Sequence, residues 1–362
     1  MTTVVPPAAA LPLAFAPRLI DWQRRAGRHG LPWQGTRDPY RVWLSEIMLQ
    51  QTQVSTVLAY FPRFLARFPD VKTLAEGAPD EVMALWSGLG YYSRARNLHR
   101  CAQQVMTAHG GAFPRTAEAL QTLPGIGAST AAAIAAFCHG ERISILDGNV
   151  RRVLARLLAF EGDLSQAAPQ RELWGLAQAL LPSAPTADDM TAYTQGLMDL
   201  GATLCHRSRP DCTGCPVQVL CKAHAMGEQT RFPVKTRRLQ RRFERWWLLL
   251  LRDRHSAGTR FWLERRPAPG IWAGLYCPPV FREEEALRAS LPSSLAPRLQ
   301  ALDPVSHALT HRELRLQPML LDVVDPLAAL VDREQDGIWV ADAALASHGL
   351  PAPVRVLLQQ LS

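Results

Sequence analysis

The chain has 362 residues, more than one hydrophobic core normally supports, so two domains are expected. Its apolar and charged fractions, 48% and 20%, are typical of a soluble globular protein. Lys and Arg number 40 against 32 Asp and Glu, and the net charge of +8 favours an anionic partner without identifying it. No apolar run approaches the roughly 20 residues that a membrane-spanning helix needs, so we expect no association with a membrane.

The N-terminal segment, MTTVVPPAAALPLAFAPRL, is apolar enough to suggest a secretion signal. It has no Lys or Arg before Arg18 and is interrupted by prolines, so it lacks the charged start of such signals. We therefore predict a disordered leader over residues 1–16 and a cytoplasmic protein.

Residues 17–227 have apolar side chains at helical spacing and no alternating strands, which predicts an all-α domain. Asp38 and Pro39 form a helix start, and one long helix, RVWLSEIMLQQTQVSTVLAYFPRFL, is expected over residues 41–65. Further helices are predicted over residues 79–85, 93–109, 116–123, 128–137, 148–158 and 187–204.

Residues 228–244 crowd arginines into a basic linker, either a solvated connection or a strap lying along phosphates. Beyond the linker, residues 245–253, 259–266 and 315–325 are predicted strands, and the last residues are predicted short helices. Residues 245–362 should therefore form a smaller α+β domain.

The stretch Leu123–Asn149 combines a tight turn with an acidic residue. Gly125 and Gly127 separate two helical runs, as expected of a hairpin between helices. The run after the turn is nearly all small and apolar, so that helix should be buried with its N-terminal amides facing the turn, a geometry that binds phosphate. Asp147 follows on the far side of the same helix, as either a helix N-cap or a reactive carboxylate.

Four of the seven cysteines form the spacing C-x6-C-x2-C-x5-C within CHRSRPDCTGCPVQVLC. Four thiolates in a short loop suit either tetrahedral zinc or an iron-sulfur cluster. One short knuckle flanked by wider gaps favours the bulkier cluster, with zinc or ordinary buried thiols as the alternatives.

Glu46 lies among apolar residues in WLSEIMLQQTQV. It is either a solvated face residue or a buried carboxyl, and a buried carboxyl can hold a proton and act as a general acid. Together with Asp147 it matches the two-carboxylate pattern of glycosidic cleavage.

Aromatic residues precede a basic helix in WSGLGYYSRARNLHR. This arrangement suits insertion into a base stack beside phosphate contacts, although core tyrosines and a solvated basic face explain it equally well. Gln50, Gln51 and Gln53 are either exposed helical residues or polar probes of a base.

Several of these motifs together resemble the adenine DNA glycosylase family of the helix-hairpin-helix superfamily: SEIMLQQTQV, GLGYYSRARNLH, LPGIGASTAAAI, LDGNVRRVLAR and the cysteine loop. The resemblance spans Pro32–Cys221, and RRPAPGIWAGLYCPP and HALTHRE extend it into a C-terminal domain. It implies a mainly α fold, in which an all-α helix-hairpin-helix glycosylase domain with an iron-sulfur loop is followed by a smaller α+β Nudix-like domain.

The resemblance implies base-excision repair of double-stranded DNA by a monomer associated with the nucleoid. The expected reaction is hydrolysis of the N-glycosidic bond of adenine mispaired with 8-oxoguanine or guanine, which leaves an abasic site. Glu46 would protonate the adenine, Asp147 would stabilise the sugar cation or form a transient bond to it, and Asn149 would orient the site.

The family also implies residues that bind. The ligands of a [4Fe-4S] cluster would be Cys205, Cys212, Cys215 and Cys221. The expected DNA contacts are Gln51, Tyr91, Gly125, Gly127 and Ser129. Arg28 and Gln195 would line the adenine pocket, and Thr310 and His311 would read 8-oxoguanine.

Two positions separate this chain from its relatives. Lyases of the endonuclease III type carry a lysine amine where this chain has Ser129, so a monofunctional glycosylase is expected. The family's Phe-Ser-His lesion loop is Leu309-Thr310-His311 here, which keeps a hydroxyl and an imidazole but loses an aromatic wedge. The C-terminal domain also lacks the glutamate run with which Nudix hydrolases hold Mg²⁺, so recognition without nucleotide hydrolysis is expected.

Two alternatives are disfavoured. A bifunctional lyase for pyrimidine lesions conflicts with Ser129 and with the C-terminal domain. A non-catalytic DNA-binding iron-sulfur protein would have no need of both Glu46 and Asp147.

Overall fold

The computed structural model describes residues 11–236, 240–255, 258–323 and 337–362. Most of the expected leader, residues 1–10, and the linker positions Arg237 and Arg238 lie outside the described residues. The chain divides into two compact units, the first containing Met1–Ala75 and Arg100–Arg238 and the second Glu76–His99 and Leu239–Ser362.

Residues 11–236 form helices joined by turns. The α-helices are α1 Phe15–Ala26, α2 Pro39–Leu49, α3 Val54–Arg67, α4 Val71–Glu76, α5 Pro79–Trp86, α6 Ser93–His109, α7 Ala117–Leu120, α8 Ala128–His139, α9 Gly148–Leu158, α10 Ala167–Ala179, α11 Ala187–Asp199 and α12 Lys222–Ala225. A π-helical turn, Leu200–Leu204, follows α11, and short 3₁₀ turns occupy Gln218–Leu220 and Gln229–Arg231.

Helix α8 is the buried helix that its composition predicts. All six side chains from Ala131 to Ala136 are 0% exposed. Alanine and one isoleucine leave little side-chain volume around the helix axis, so neighbouring helices can approach closely. Helix α8 packs against α2, α7 and α11.

The single long helix predicted over residues 41–65 is wrong. The structure has two helices, α2 and α3, separated at Gln50–Gln53. Gln51 takes the left-handed backbone conformation with φ of 56°, which ends a right-handed helix. The interpretation of Gln50, Gln51 and Gln53 as exposed helical residues is therefore also wrong, because these residues form the connection between the two helices.

Part of the expected linker packs within the first unit. Phe232 is 1% exposed, and the carbonyl of Val234 accepts a hydrogen bond from the Leu164 amide at 3.0 Å. Thr236 donates to Asp163 at 2.5 Å. Residues 232–234 therefore pack within the first unit, whereas the side chains of Arg231, Lys235 and Thr236 are exposed.

The second unit contains a mixed sheet. Its described strands are β1 Arg242–His255, β2 Gly258–Arg265, β3 Tyr276–Cys277, β4 Val280–Phe281, β5 Gln300–Ala301, β6 Val305–Ala308, β7 Arg312–Val323 and β8 Gly337–Ala341. Helices α13 Glu284–Ala289 and α14 Ala352–Leu361 and the 3₁₀ turns Ala296–Arg298 and Asp342–Ser347 complete it.

Strand β1 lies in the centre of this sheet, in the order β3-β2-β1-β7-β5. It runs parallel to β7 and antiparallel to β2. Consecutive residues Leu248–Leu251 are at most 1% exposed, which is typical of a strand covered on both faces. The short strands β6 and β8 were not predicted from the sequence.

The mainly α fold class with a smaller α+β domain is confirmed by these elements. Within the described ranges, no helix combines the length and hydropathy required to cross a bilayer.

Candidate active site

Glu46 lies in α2 and lines an open cleft of about 480 Å³ in the first unit. Helix α2 begins at Pro39, and Asp38 caps it by accepting a hydrogen bond from the Tyr40 amide at 3.0 Å. Ser45 and Ile47, on either side of Glu46, are 2% and 3% exposed. The carboxyl therefore faces the cleft from a buried helix, and Glu46 does not belong to a solvated helix face.

Burial raises the pKa of Glu46 from its ordinary value of 4.5 to about 8, because a desolvated carboxyl disfavours the charged form. The negative charge of Asp147 adds to this rise. Glu46 therefore keeps its proton at neutral pH, as a general acid must. The effect of Asp147 also shows that the two carboxyl groups act on each other.

Asp147 caps α9. Its Oδ1 atom accepts hydrogen bonds from the amides of Asn149, at 2.6 Å, and Val150, at 2.9 Å. Both bonds end on the same oxygen, so the cap does not engage Oδ2. The two sequence interpretations of Asp147 are therefore compatible, since one oxygen can fix the side chain while the other faces a reacting group.

The helical hairpin precedes Asp147. Gly125 has a φ of 78°, a conformation that favours glycine, and Gly127 is the exposed residue before α8. In the first turn of α8, the Ser129 hydroxyl accepts a hydrogen bond from the Leu146 amide at 3.0 Å. Ser129 therefore holds the residue that immediately precedes Asp147.

Arg152 connects the first turn of α9 to the π-helical turn and the cysteine loop. Its guanidinium donates to the Oδ1 atom of Asn149 at 2.9 Å, to the Gly201 carbonyl at 2.7 Å and to the Cys205 carbonyl at 2.8 Å. A Cβ atom at Gly201 would stand 2.7 Å from the Cβ atom of Asn149, so this close approach requires glycine. Asn149 is thus fixed by groups from the loop region.

Arg156, one turn further along α9, is 2% exposed. It donates to the carbonyls of His206 at 2.6 Å and Arg207 at 2.8 Å, and lies 3.3 Å from the Cys205 sulfur. This buried guanidinium holds the start of the cysteine loop against α9.

All four clustered cysteines border one small cavity: Cys205, Cys212, Cys215 and Cys221. Burial raises the pKa of Cys215 to about 11, and the pKa values of Cys212 and Cys221 are also raised, mainly by burial. Four sulfur atoms thus lie around one cavity beside the Arg156 guanidinium. Such a set of donors suits a metal ion or cluster that is held by thiolates. Over the described residues, no three His, Cys, Asp or Glu side chains stand close enough to hold a metal ion as placed.

Arg28 and Gln195 both line the cleft that contains Glu46. Both donate hydrogen bonds to Asp199, at 2.7 Å from the Arg28 Nε atom and 2.8 Å from the Gln195 Nε2 atom. The predicted pocket residues are therefore brought together with Glu46, through an acid that the sequence analysis did not single out.

In the second unit, the Tyr91 and Thr310 hydroxyls lie 2.8 Å apart. Tyr91 is 42% exposed and has a φ of 48°. The Arg94 guanidinium lies 5.4 Å from the centroid of the Tyr91 ring and donates to the Gly90 carbonyl at 3.1 Å. These two contacts stabilise the turn that contains Tyr91.

Thr310 and His311 form the tip of a hairpin between β6 and β7. The Leu309 amide donates to the Arg312 carbonyl at 2.7 Å and closes the two-residue loop. The His311 side chain is exposed, whereas its carbonyl accepts from the Arg242 amide at 3.0 Å. In the first unit, Gln51 is exposed in the turn between α2 and α3.

The HhH-GPD superfamily of base excision DNA repair proteins matches residues 44–179, and the NUDIX domain matches residues 247–360. An adenine DNA glycosylase from Buchnera aphidicola subsp. Acyrthosiphon pisum is 32% identical over 347 residues, which cover 95% of this chain and 97% of that protein. The chain belongs to the adenine DNA glycosylase family.

Other comparisons agree with this family. Human adenine DNA glycosylase is 35% identical over 365 residues, covering 84% of this chain and 66% of the human protein. A thermostable thymine-DNA glycosylase of known structure has 26% identity and a TM-score of 0.51, and covers 59% of this chain and 96% of its own. The predicted resemblance and the predicted class, a DNA glycosylase of base-excision repair, are thereby confirmed.

Sequence reasoning missed Asp199, Arg152 and Arg156. Asp199 is an acid in the apolar run GLMDLGA and lies four residues after Gln195, so both are on the same face of α11. Arg152 and Arg156 have the same four-residue spacing on α9. These spacings were the available signals, but charged pairs on one helix face are common and do not indicate a site by themselves.

The Glu46→Gln variant is expected to gain stability relative to the parent protein as pH rises. Because the folded-state pKa of about 8 is above 4.5, the contribution of the Glu46 carboxyl is complete below about pH 4.5 and is lost as pH rises through 8. Glutamine does not titrate, so the difference in unfolding free energy should change by about 4 kcal/mol between about pH 5 and about pH 9. Denaturant unfolding at several pH values measures it.

The exposed Glu118 provides a matched control, because Glu118→Gln should follow the parent protein across this range. A Glu46→Gln difference that stays constant with pH would contradict a buried, protonated carboxyl.

Proposed function

We propose that this chain removes adenine mispaired with 8-oxoguanine, or with guanine, from double-stranded DNA and leaves an abasic site. We further propose that it is monofunctional and acts as a monomer where the chromosome lies. The observation that carries the proposal is Glu46, a carboxyl whose pKa is raised to about 8 in an open cleft and which senses the charge of Asp147.

In the proposed reaction, the adenine is flipped out of the duplex into the cleft. Glu46 donates its proton to adenine, at N7, which converts the base into a neutral leaving group as the N9–C1′ bond breaks. The sugar is left with oxocarbenium character, and the Asp147 carboxylate stabilises this positive charge. Water then adds to C1′ and gives a proton to the Glu46 carboxylate, which restores the acid.

The surrounding residues have proposed roles that fit their contacts. Asn149 orients the sugar side of the site, with Arg152 fixing its amide at 2.9 Å. The amides around Gly125 and Gly127 bind a backbone phosphate at the N-terminus of α8. Ser129 contributes to this phosphate site and offers no amine to form a Schiff base, which supports hydrolysis without strand cleavage.

Recognition of 8-oxoguanine is proposed for the Tyr91 turn and the Thr310–His311 hairpin tip. Tyr91 is exposed enough to enter a base stack, and its hydroxyl lies 2.8 Å from the Thr310 hydroxyl, so the two would act as one unit. Gln51 is proposed to intercalate beside the lesion from the turn between α2 and α3. Arg28 and Gln195 are proposed to contact the adenine.

A [4Fe-4S] cluster is proposed for the four cysteines that border one cavity. When bound, the cluster would cross-link four thiolates and fix the loop between them. Arg207 and Arg209 are exposed in that loop and are proposed to contact DNA phosphates. Arg156 holds the carbonyls of His206 and Arg207, so cluster and guanidinium would position the same segment.

The proposed reaction is tested with duplexes carrying adenine opposite 8-oxoguanine, adenine opposite guanine, or thymine glycol. The parent protein should excise adenine from the first two only, and strands should break only after alkali. Glu46→Gln should still bind the adenine duplexes while excision falls by at least about 10²-fold, the typical contribution of a general acid. Retained excision by Glu46→Gln would remove Glu46 from the acid role, and borohydride trapping of the parent protein would contradict the monofunctional assignment.

For the cluster, Cys215→Ser is expected to lower bound iron and sulfide together and to weaken DNA binding, because the loop loses one of its four anchors. Elemental analysis and salt-dependent DNA affinity measure the two effects. Cys277→Ser, a buried thiol in the second unit, is the matched control and should leave both unchanged. Zinc in place of iron would contradict the cluster, and iron loss with unchanged affinity would contradict its positioning role.

The lesion-reading pair is tested with Thr310→Val, which keeps the shape of the side chain and removes the hydroxyl 2.8 Å from Tyr91. The preference for adenine opposite 8-oxoguanine over adenine opposite guanine should fall by about 3- to 10-fold, the value of one hydrogen bond. Tyr91→Phe should lose a similar amount, and the double variant should lose no more than either alone. Additive losses would contradict a single recognition unit, and Thr259→Val in β2 controls for the substitution itself.

A further inference from the structure

Asp199 is a fully buried acid that binds two residues lining the cleft, Arg28 and Gln195. It is the last residue of α11, its side chain is 0% exposed, and the π-helical turn Leu200–Leu204 follows it. Helices α1 and α11 approach closely here, since a Cβ atom at Gly196 would lie 3.0 Å from the Leu19 side chain. A buried carboxylate must be fully hydrogen-bonded to be tolerated, so its donors indicate what it organises.

Those donors come from the two residues proposed to contact adenine. Arg28 donates twice, from Nε to Oδ1 at 2.7 Å and from its backbone amide to Oδ2 at 2.9 Å. Gln195 donates from Nε2 to Oδ1 at 2.8 Å. A Cβ atom at Gly27 would lie 2.5 Å from the Gln23 carbonyl and 3.0 Å from Asp199 Oδ2, so glycine lets the Arg28 backbone reach the acid.

The hydrogen bond to Asp199 fixes which end of the Gln195 amide faces the cleft. A carboxylate only accepts hydrogen bonds, so the NH₂ end of the amide must point toward Asp199. The carbonyl end is then left for the cleft, which Gln195 lines together with Glu46. A carbonyl in this position accepts a hydrogen bond from an exocyclic amine and repels an exocyclic oxygen.

We propose that Asp199 is a positioning residue that makes the cleft selective for a purine with an amine at C6 over one with a carbonyl there. This inference rests on the proposed adenine excision. Asp199 does not touch the base. It acts by holding the Gln195 carbonyl toward the 6-amino group and by fixing the Arg28 guanidinium beside it.

The decisive variant is Asp199→Asn. Asparagine can donate as well as accept, so the Gln195 amide is free to reverse and present its NH₂ group to the cleft. Single-turnover excision is measured for adenine and for hypoxanthine, each opposite 8-oxoguanine. The ratio of the two rates should fall by about tenfold or more, the value of a hydrogen bond lost for one base and gained for the other.

Gln195→Leu provides a second route, because it removes the amide without changing the buried acid. It should lower the same ratio, and Asp199→Asn should change the ratio no further in the Gln195→Leu background. A purely structural role of Asp199 would reduce both rates equally and leave the ratio unchanged. Asp253→Asn is the matched control, since Asp253 is a buried acid paired with Arg260 at 2.6 Å in the second unit.

The outcomes separate the two proposals. A parent protein that excises no adenine would overturn the proposed function and this role with it. A parent protein that excises adenine, together with an unchanged ratio in Gln195→Leu or in Asp199→Asn, would overturn the role of Asp199 alone. The Gln195→Leu result decides the matter if Asp199→Asn does not fold.

Discussion

The hydrogen bonds of α9 are the interaction on which the site of the first unit depends. At the start of the helix, Asp147 binds its first amides, and one and two turns later Arg152 and Arg156 bind the carbonyls of the cysteine loop. A guanidinium that is 2% exposed cannot lose these partners without a large desolvation cost. The helix therefore cannot shift independently of the loop, and the position of the Asp147 carboxylate is set partly by residues about 60 positions later in the chain.

The small side chains of α8 also help to assemble the cleft. Helix α8 presents Ala131–Ala136 to its surroundings, so α2 and α11 both pack closely on it. This brings Glu46 from α2 and Gln195 from α11 into one cleft, with Asp147 on the connection that leaves α8. Bulkier side chains on α8 would hold α2 and α11 further apart. The two carboxyl groups have different surroundings. Burial raises the pKa of Glu46, whereas Asp147 accepts hydrogen bonds from backbone amides.

Local patterns predicted much of the fold, and three candidate residues from the sequence, Glu46, Arg28 and Gln195, line one cleft. The alanine-rich run of α8 and the hydrophobic run of β1 each predicted burial, and the structure agrees. For Glu46 the sequence left a solvated face and a buried carboxyl as alternatives, and the structure places it in a buried helix beside the cleft. The break at Gln51, where φ is 56°, was not predicted because the glutamines around it are compatible with a continuous helix and the segment Gln50–Gln53 contains no glycine or proline. The Tyr91–Thr310 bond joins residues 219 positions apart, and Asp199 accepts hydrogen bonds from Gln195 in its own helix and from Arg28 in the segment after α1. Local sequence patterns do not predict contacts at such separations. Short strands such as β6 are stabilised by pairing with neighbouring strands, and their own sequence gives little indication of a strand.

The hydrogen bond between Ser129 and the Leu146 amide has an evolutionary consequence. An exchange of Ser129 for lysine would supply an amine and at the same time remove the acceptor that holds the residue before Asp147. A buried amide left without a partner costs about 1–3 kcal/mol. The exchange would therefore join a gain in chemistry to a local loss of stability at the residue before Asp147. In this fold, the residue that decides whether an amine is present also helps to hold the backbone next to a candidate catalytic carboxylate.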